Sequence, residues 1–337
     1  MRPFTYQRAN DPAEAVRLAG EGRGPPTLAP VQFLAGGTTL IDLMKLDVMA
    51  PSTLVDLNGL DGSLREIRAD AQGLRLGAMV RMAEAAEHEA VARDYPVIAQ
   101  SLLLAASPQI RNMASLGGNV LQRTRCEYFR FTDFPACNKR APGSGCGALT
   151  GVDRKLAVLG VSDACIASYP GDFANALAAL RAEVEIAGPG GARRMAFDKL
   201  HRLPGETPHL ETTLAPGDLI VGFFVPAGPW TRRSLFVKVR DRQSYEFALA
   251  SAAVALHLEA GEVRAARIAL GGLAARPWRS REAEAALEGQ TLSEETARAA
   301  AEAALLGASP SGGVSYKIEL GKRTLVRALL AAGALEA

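Results

Sequence analysis

The hydrophobic pattern opens as a strand over Phe4 to Arg8. Asn10-Asp11-Pro12 then places a capping side chain and a first-turn proline ahead of a helix around Ala13 to Ala19. A loop rich in glycine and proline follows. Gln32 to Ala35 reads as a buried strand running into Gly36-Gly37-Thr38-Thr39, Leu40 to Leu46 has helical spacing, and Thr53 to Leu57 forms a third strand. The order β-α-β-α-β predicts a small parallel layer over residues 1–58.

Beyond Asn58 the period changes. Leu64 to Ala69 and Leu74 to Val80 alternate about Asp70-Ala71-Gln72-Gly73, which predicts an antiparallel hairpin, and helical spacing returns from Met82 to His88 and from Pro96 to Ala105. Ala176 to Val184, Arg193 to Phe197 and Leu219 to Val225 read as further strands of a second unit over residues 59–226, with Pro226-Ala227-Gly228-Pro229 as its exit linker. Ser234 to Arg240, Leu249 to Leu258 and Val263 to Leu270 predict an antiparallel meander that turns at Glu259-Ala260-Gly261-Glu262. The alanine-rich Ser280 to Leu306 and Lys317 to Ala332 read as helices, completing a third unit over 230–337.

Composition narrows the function classes more than the fold. The 337 residues exceed what one hydrophobic core serves, in keeping with several units. Thirty-eight Lys and Arg against 36 Asp and Glu leave a net charge of +2, which gives no field for nucleic acid or an anionic membrane surface. The longest apolar run, LLLAA at 102–106, is far too short for a membrane span, and the opening MRPFTYQRANDPAEAV has no signal core or twin-arginine stretch. A soluble protein without an export signal of its own is expected.

Two stretches carry candidate chemistry. In AGGTTL at 35–40, two glycines between a strand and a helix leave amides and hydroxyls facing a helix start, where a pyrophosphate is favoured; an ordinary tight turn explains an isolated Gly-Gly equally well. No G-x-G-x-x-G fingerprint is present, and Gly188-Pro189-Gly190-Gly191 sits between strand-like segments as a hairpin turn. The second stretch holds all four cysteines, Cys126, Cys137, Cys146 and Cys165, spaced C-x10-C-x8-C-x18-C, which matches neither zinc ribbons nor bacterial ferredoxins. Buried thiols, disulfides, zinc and an iron-sulfur cluster all compete. Crowding into forty residues of an otherwise cysteine-free chain favours a metal. Arg123, Arg125, Arg130, Lys139 and Arg140 around the first two cysteines suit an anionic cluster, and zinc would accept them too. The four histidines have no ligand spacing.

AGGTTL at 35–40, QIRNMASLGGN at 109–119, YPGD at 169–172 and FVKVRDRQSYEFALAS at 236–251, in that order, resemble the FAD-binding medium subunit of molybdenum hydroxylases, the xanthine dehydrogenase and carbon monoxide dehydrogenase family. CNKRAPGSGCGAL and SDACIA, within an insertion at about 120–168, resemble the flavin subunits that carry an extra 4Fe-4S cluster, those of periplasmic aldehyde oxidoreductase above all. The resemblance implies an α+β, three-domain FAD-binding fold of the PCMH (vanillyl-alcohol oxidase-like) type with a C-terminal domain of antiparallel sheet plus helices. It implies a first pyrophosphate loop at Phe33, Leu34, Ala35, Gly36, Gly37, Thr38, Thr39 and Leu40, and a second at Ser115, Leu116, Gly117, Gly118 and Asn119. Asp172 would contact the flavin, Ile220 would line it, and Lys238 would lie near the ring. Ala105 stands where xanthine dehydrogenase relatives place an aromatic. Cys126, Cys137, Cys146 and Cys165 would hold the 4Fe-4S cluster. Taken alone, Asp172 reads as a helix cap and Lys238 as a solvated strand residue.

The implied function is electron transfer. No acid-base constellation for a hydroxylase is present; the resemblance implies a heterotrimer with a 2Fe-2S subunit and a molybdopterin subunit that oxidises aldehydes, this chain passing electrons through FAD to an external acceptor. A 4-hydroxybenzoyl-CoA reductase-like subunit, with flow reversed, is the alternative within the family, and a non-catalytic protein with a structural zinc loop the alternative outside it. Export on a partner's signal would make the complex periplasmic; otherwise it is cytoplasmic.

Overall fold

A computed structural model describes residues 1–20, 27–310 and 312–336, so part of the expected glycine- and proline-rich loop, residues 21–26, lies outside the described residues. Strands β1 (Thr5–Arg8), β2 (Val31–Leu34) and β3 (Thr53–Asp56) form a parallel sheet in the order β1-β3-β2, joined by helices α1 (Pro12–Gly20) and α2 (Leu40–Lys45). Parallel neighbours need crossovers, and α1 supplies one by laying Ala15, Val16 and Ala19 on a core with Val55, Leu57 and Leu60. Buried Asp56 ends β3 and accepts from Tyr6 Oη, Arg8 Nε and Asn58; Asn58 Nδ2 donates in turn to Ala35 O at 2.9 Å. This polar knot holds the strand end just before the first glycine loop.

The second sheet contains β4 (Ile67–Asp70), β5 (Gly73–Gly77), β6 (Glu183–Gly188), β7 (Gly191–Ala196) and β8 (Leu219–Pro226), antiparallel in the order β4-β5-β8-β6-β7. Both predicted hairpins form, the second around Gly188-Pro189-Gly190-Gly191. Between β5 and β6 the chain leaves the sheet for α3 (Met82–Glu87), α4 (Glu89–Asp94), α5 (Pro96–Leu103), α6 (Pro108–Arg111), α7 (Leu116–Val120), α8 (Glu127–Arg130), the cysteine loop and α9 (Asp172–Ala179). The strand expected over Ala176 to Val184 is a correction: α9 occupies its first half, and the strand starts at Glu183. Every residue of α9 is buried, and a segment apolar on all sides loses the period that separates a helix from a strand.

The third sheet, β9 (Ser234–Val239), β10 (Ala250–Glu259), β11 (Glu262–Gly271) and β12 (Trp278–Arg279), is antiparallel in the order β12-β11-β10-β9. Ala260 and Gly261 turn β10 into β11 with φ of 50° and 83°, the left-handed pair a two-residue hairpin needs. Ala250, Ala252, Val254 and Leu256 face α10 (Arg281–Leu287), α11 (Glu294–Leu305) and α12 (Tyr316–Gly333), whereas Ala253 and Ala255 join the core shared with α5, α9 and the second sheet. Small side chains on both faces of β10 let helices close on either side.

The segment after the third cysteine is sewn onto this last unit. Val158 N and Leu159 N donate to Leu273 O, Tyr169 N to Ala274 O, and buried Lys317 on α12 donates to Leu156 O at 2.8 Å and Gly272 O at 2.5 Å. No helix among the described residues is long and apolar enough to cross a membrane.

Candidate functional site

The first glycine loop reaches the N-terminus of α2 with its backbone uncommitted. The amides of Gly36, Gly37, Thr38 and Thr39 find no acceptor among the described residues, and Thr39, the N-cap of α2, makes no side-chain cap bond. Four free N–H groups at a helix start present partial positive charge to an anion. Gly36 is required for a second reason: a Cβ there would lie 1.9 Å from Met113 O. Met113 O is itself gripped by Arg81 Nη1 at 2.5 Å, while Arg81 Nη2 donates to Asn58 Oδ1 at 3.0 Å, so it cannot retreat freely. Gly37 has φ of 73°, a cheaper demand. Gly36→Ala is therefore expected to displace the loop at about 1–3 kcal/mol, weakening flavin retention on the order of 10- to 100-fold. Gly37→Ala should cost about 1 kcal/mol. Flavin released per chain from the two purified variants checks the order.

The second glycine loop is differently committed. Leu116 N donates to Val80 O and Gly117 N to Ala78 O, both at 2.9 Å; Gly118 N goes to Ser115 Oγ and Asn119 N to Ser115 O. It thus faces the first loop with the Ser115 hydroxyl and glycine surface rather than with spare amides, and Gly117 packs within 3.1 Å of the Ala78 methyl carbon. Phe33, Ala35, Gly36, Gly37, Thr38, Thr39, Leu40, Ser115, Gly117, Gly118 and Ile220 all line one cleft of about 220 Å³ between the first two sheets. Leu34, Leu116 and Asn119 belong to the same loops but do not line it; Asn119 Oδ1 is buried without a donor among the described residues.

Asp172, Lys238 and Ala105 lie outside this cleft, grouped together elsewhere. Lys238 Nζ meets Asp172 Oδ2 at 2.7 Å, with 1% and 4% of the two side chains exposed, and donates also to Leu104 O at 3.1 Å. Lys238 is thus not on a solvated face. Asp172 is the first residue of α9, whose N-cap is Gly171. Burial pushes the Asp172 carboxyl above its ordinary value, opposed by Lys238 and Arg240. Ala105 is the next residue after Leu104, and its carbonyl accepts from Arg111 Nη1 at 2.9 Å. Tyr245, with φ of 54°, is exposed on the loop that follows β9.

All four cysteines line a single small pocket with Phe129, Ala148, Ala164 and Ala167, and Cys137 and Cys146 pair as an isolated antiparallel bridge. None is in a disulfide. Burial pushes the Cys126 thiol up to about 12, and burial also raises Cys165, where the Lys139 ammonium acts against it. Tetrahedral zinc holds its sulfurs about 3.8 Å apart, from Zn–S bonds of about 2.3 Å. Among the described residues no three Cys, His, Asp or Glu side chains gather to hold such an ion. Four sulfurs around one closed pocket fit a larger, polynuclear centre better than a single ion. The loop conformation needs its glycines, since Gly143 and Gly145 have φ of 85° and 91°.

A wall of three charged side chains separates cleft and pocket. Glu211 Oε2 and Oε1 each accept from Arg123 at 3.1 Å, and Lys139 Nζ is 3.1 Å from Oε1. Arg123 and Glu211 line the cleft; Lys139 lines the pocket. The two cations overcome burial and hold the Glu211 carboxyl down at about 2, against an ordinary 4.5. A lowered carboxyl stabilises the fold fully above pH 4.5 and loses that contribution as pH falls toward 2; the 2.5-unit difference corresponds to about 3 kcal/mol. Urea unfolding midpoints should fall across that window, and Glu211→Gln should flatten the fall. Glu211 escaped sequence reading because HLETTL carries no motif, and Arg123 and Lys139 stood out only as charges near cysteines.

Residues 2–228 match the family described as the FAD binding domain in molybdopterin dehydrogenase, and residues 236–332 match the CO dehydrogenase flavoprotein C-terminal domain. The chain belongs to the FAD-binding medium subunits of the molybdenum hydroxylases. Among curated members of this family, aldehyde oxidoreductase FAD-binding subunit PaoB of Escherichia coli is 45% identical over 335 residues, 99% of both chains. The carbon monoxide dehydrogenase medium chain of Afipia carboxidovorans is 28% identical over 97% of this chain and 95% of its own. A solved structure of reconstituted CO dehydrogenase from Oligotropha carboxidovorans superposes with a TM-score of 0.76 at 26% identity, covering 99% of both chains. As a medium subunit, the chain has the FAD-binding PCMH-type fold and is an oxidoreductase component that binds FAD.

Proposed function

We propose that this medium subunit is the FAD and 4Fe-4S electron-transfer component of a heterotrimeric molybdenum-dependent aldehyde oxidoreductase, partnered by a 2Fe-2S subunit and a molybdopterin subunit. The observation that carries the reading is the convergence of Cys126, Cys137, Cys146 and Cys165 on one pocket, one wall away from the cleft lined by both glycine loops. Aldehyde as substrate class is supported by 45% identity along the whole chain to a named aldehyde oxidoreductase subunit.

On this reading the free amides at Gly36 to Thr39, with Ser115 opposite, bind the FAD pyrophosphate; Phe33, Ala35, Leu40 and Ile220 cover the cofactor's apolar surface and exclude water. Asp172 and Lys238 fix a buried charge pair that sets the field where the third sheet approaches α9. FAD, when bound, exchanges electrons singly with iron-sulfur centres and in pairs with an external acceptor. The cysteines hold the cluster through their sulfurs, and residues 1–58, 59–226 and 230–337 act as three units, in keeping with one sheet in each. Co-purification of the native complex tests the assignment. Two partner chains, a flavin spectrum with a broad iron-sulfur shoulder and oxidation of aldehydes are expected; a colourless, zinc-containing protein refutes it.

A further inference from the structure

We propose that Lys139 sets the reduction potential of the 4Fe-4S cluster, with Glu211 as the positioning residue that keeps its ammonium at the cysteine pocket. The inference rests on the cluster assignment above. Lys139 is the one charged side chain among the described residues that line the pocket of Cys126, Cys137, Cys146 and Cys165. Its side chain is only 13% exposed, and Nζ is held from two sides, 3.1 Å from Glu211 Oε1 and 3.0 Å from Pro208 O. Glu211 cannot swing away, because Arg123 holds both its carboxylate oxygens and stacks its guanidinium 4.5 Å over the Phe129 ring. The neighbouring cations are committed elsewhere. Arg130 pairs with Asp42, Arg140 donates to carbonyls of Tyr128 and Phe129, and Arg125 lies over Phe247.

Two cations against one carboxylate leave the wall net positive on the side where the sulfurs converge. A cluster on four thiolates is anionic and gains one negative charge on one-electron reduction, so a fixed cation favours the reduced form. Burial keeps that preference from being screened, as it would be at the surface. Because the same wall borders the flavin cleft, the potential it sets governs whether electrons rest on iron or on flavin.

Lys139→Gln and Lys139→Arg in the assembled complex test this, with iron and flavin content measured first and the cluster titrated by its electron paramagnetic resonance signal. The midpoint is expected to move to a more negative potential in Lys139→Gln and to stay near the wild-type value in Lys139→Arg. Equal midpoints in all three proteins overturn the inference while leaving the cluster assignment standing; a wild-type complex without a 4Fe-4S signal overturns both. Should Lys139→Gln lose its iron, Lys139→Arg decides. Retained iron at an unshifted midpoint supports a charge role, and loss of iron in both overturns it.

Discussion

Cys137→Ser should strip the iron from the purified protein and leave its flavin. Cys137 is buried, lines the common pocket, and pairs with Cys146 across an isolated bridge, so its sulfur cannot be replaced by a neighbour without remaking the loop. A serine hydroxyl at that point lacks the soft thiolate character that iron-sulfur centres require. The backbone is expected to survive, because Cys137 N is held by Ser144 Oγ at 3.0 Å and Asn138 braces the loop from both ends, accepting from Gly145 N and donating to Ala164 O. The flavin cleft contains none of the four cysteines. Iron and acid-labile sulfide should fall by more than about tenfold, with the broad visible shoulder lost and the flavin bands unchanged. Full iron retention would overturn the ligand assignment.

Asp172→Ala should be the most destabilising single change in the charged interior. It leaves the Lys238 ammonium, 1% exposed, with a carbonyl at 3.1 Å as its remaining close partner. Stranding a buried charge costs about 3–5 kcal/mol, whereas replacing both members by apolar residues is often near neutral. Lys238→Met combined with Asp172→Leu should therefore recover most of the stability lost by Asp172→Ala. Urea midpoints of the variants measure both effects. If the single and double variants unfold at the same concentration, the pair is not the closed unit its geometry describes.

Local pattern made the three sheets legible, because their strands alternate or end in glycine turns: the Ala260-Gly261 hairpin and the Gly36-Gly37 junction were both visible before any coordinates. The run from Ala176 was not, since burial on all sides removed the period that would have marked it as α9. The cleft was legible through its glycines. What the sequence concealed was the use of their backbone, for the second loop spends its amides on Ala78 O and Val80 O, partners nearly forty residues away. Lys238 looked like a surface residue because strand alternation does not reveal which face a helix will cover; α9 and Leu104 bury it. Glu211 was illegible for a related reason. Its partners, Arg123 and Lys139, lie 88 and 72 positions earlier, and nothing local to HLETTL signals them.

The stitching of the cysteine insertion to the end of the chain has a consequence for the order of synthesis. Residues 153–159 take their fixed position from partners made far later: Gly313 N on Asp153 Oδ1, Tyr316 Oη on Arg154 O, Ser309 N on Val158 O, and Lys317 on Leu156 O. All four cysteines therefore leave the ribosome well before the segment that clamps their loop exists. Cofactor loading becomes a late event in the life of the polypeptide, and a chain cut short ahead of Ser309 keeps every sulfur but loses the clasp that closes their pocket.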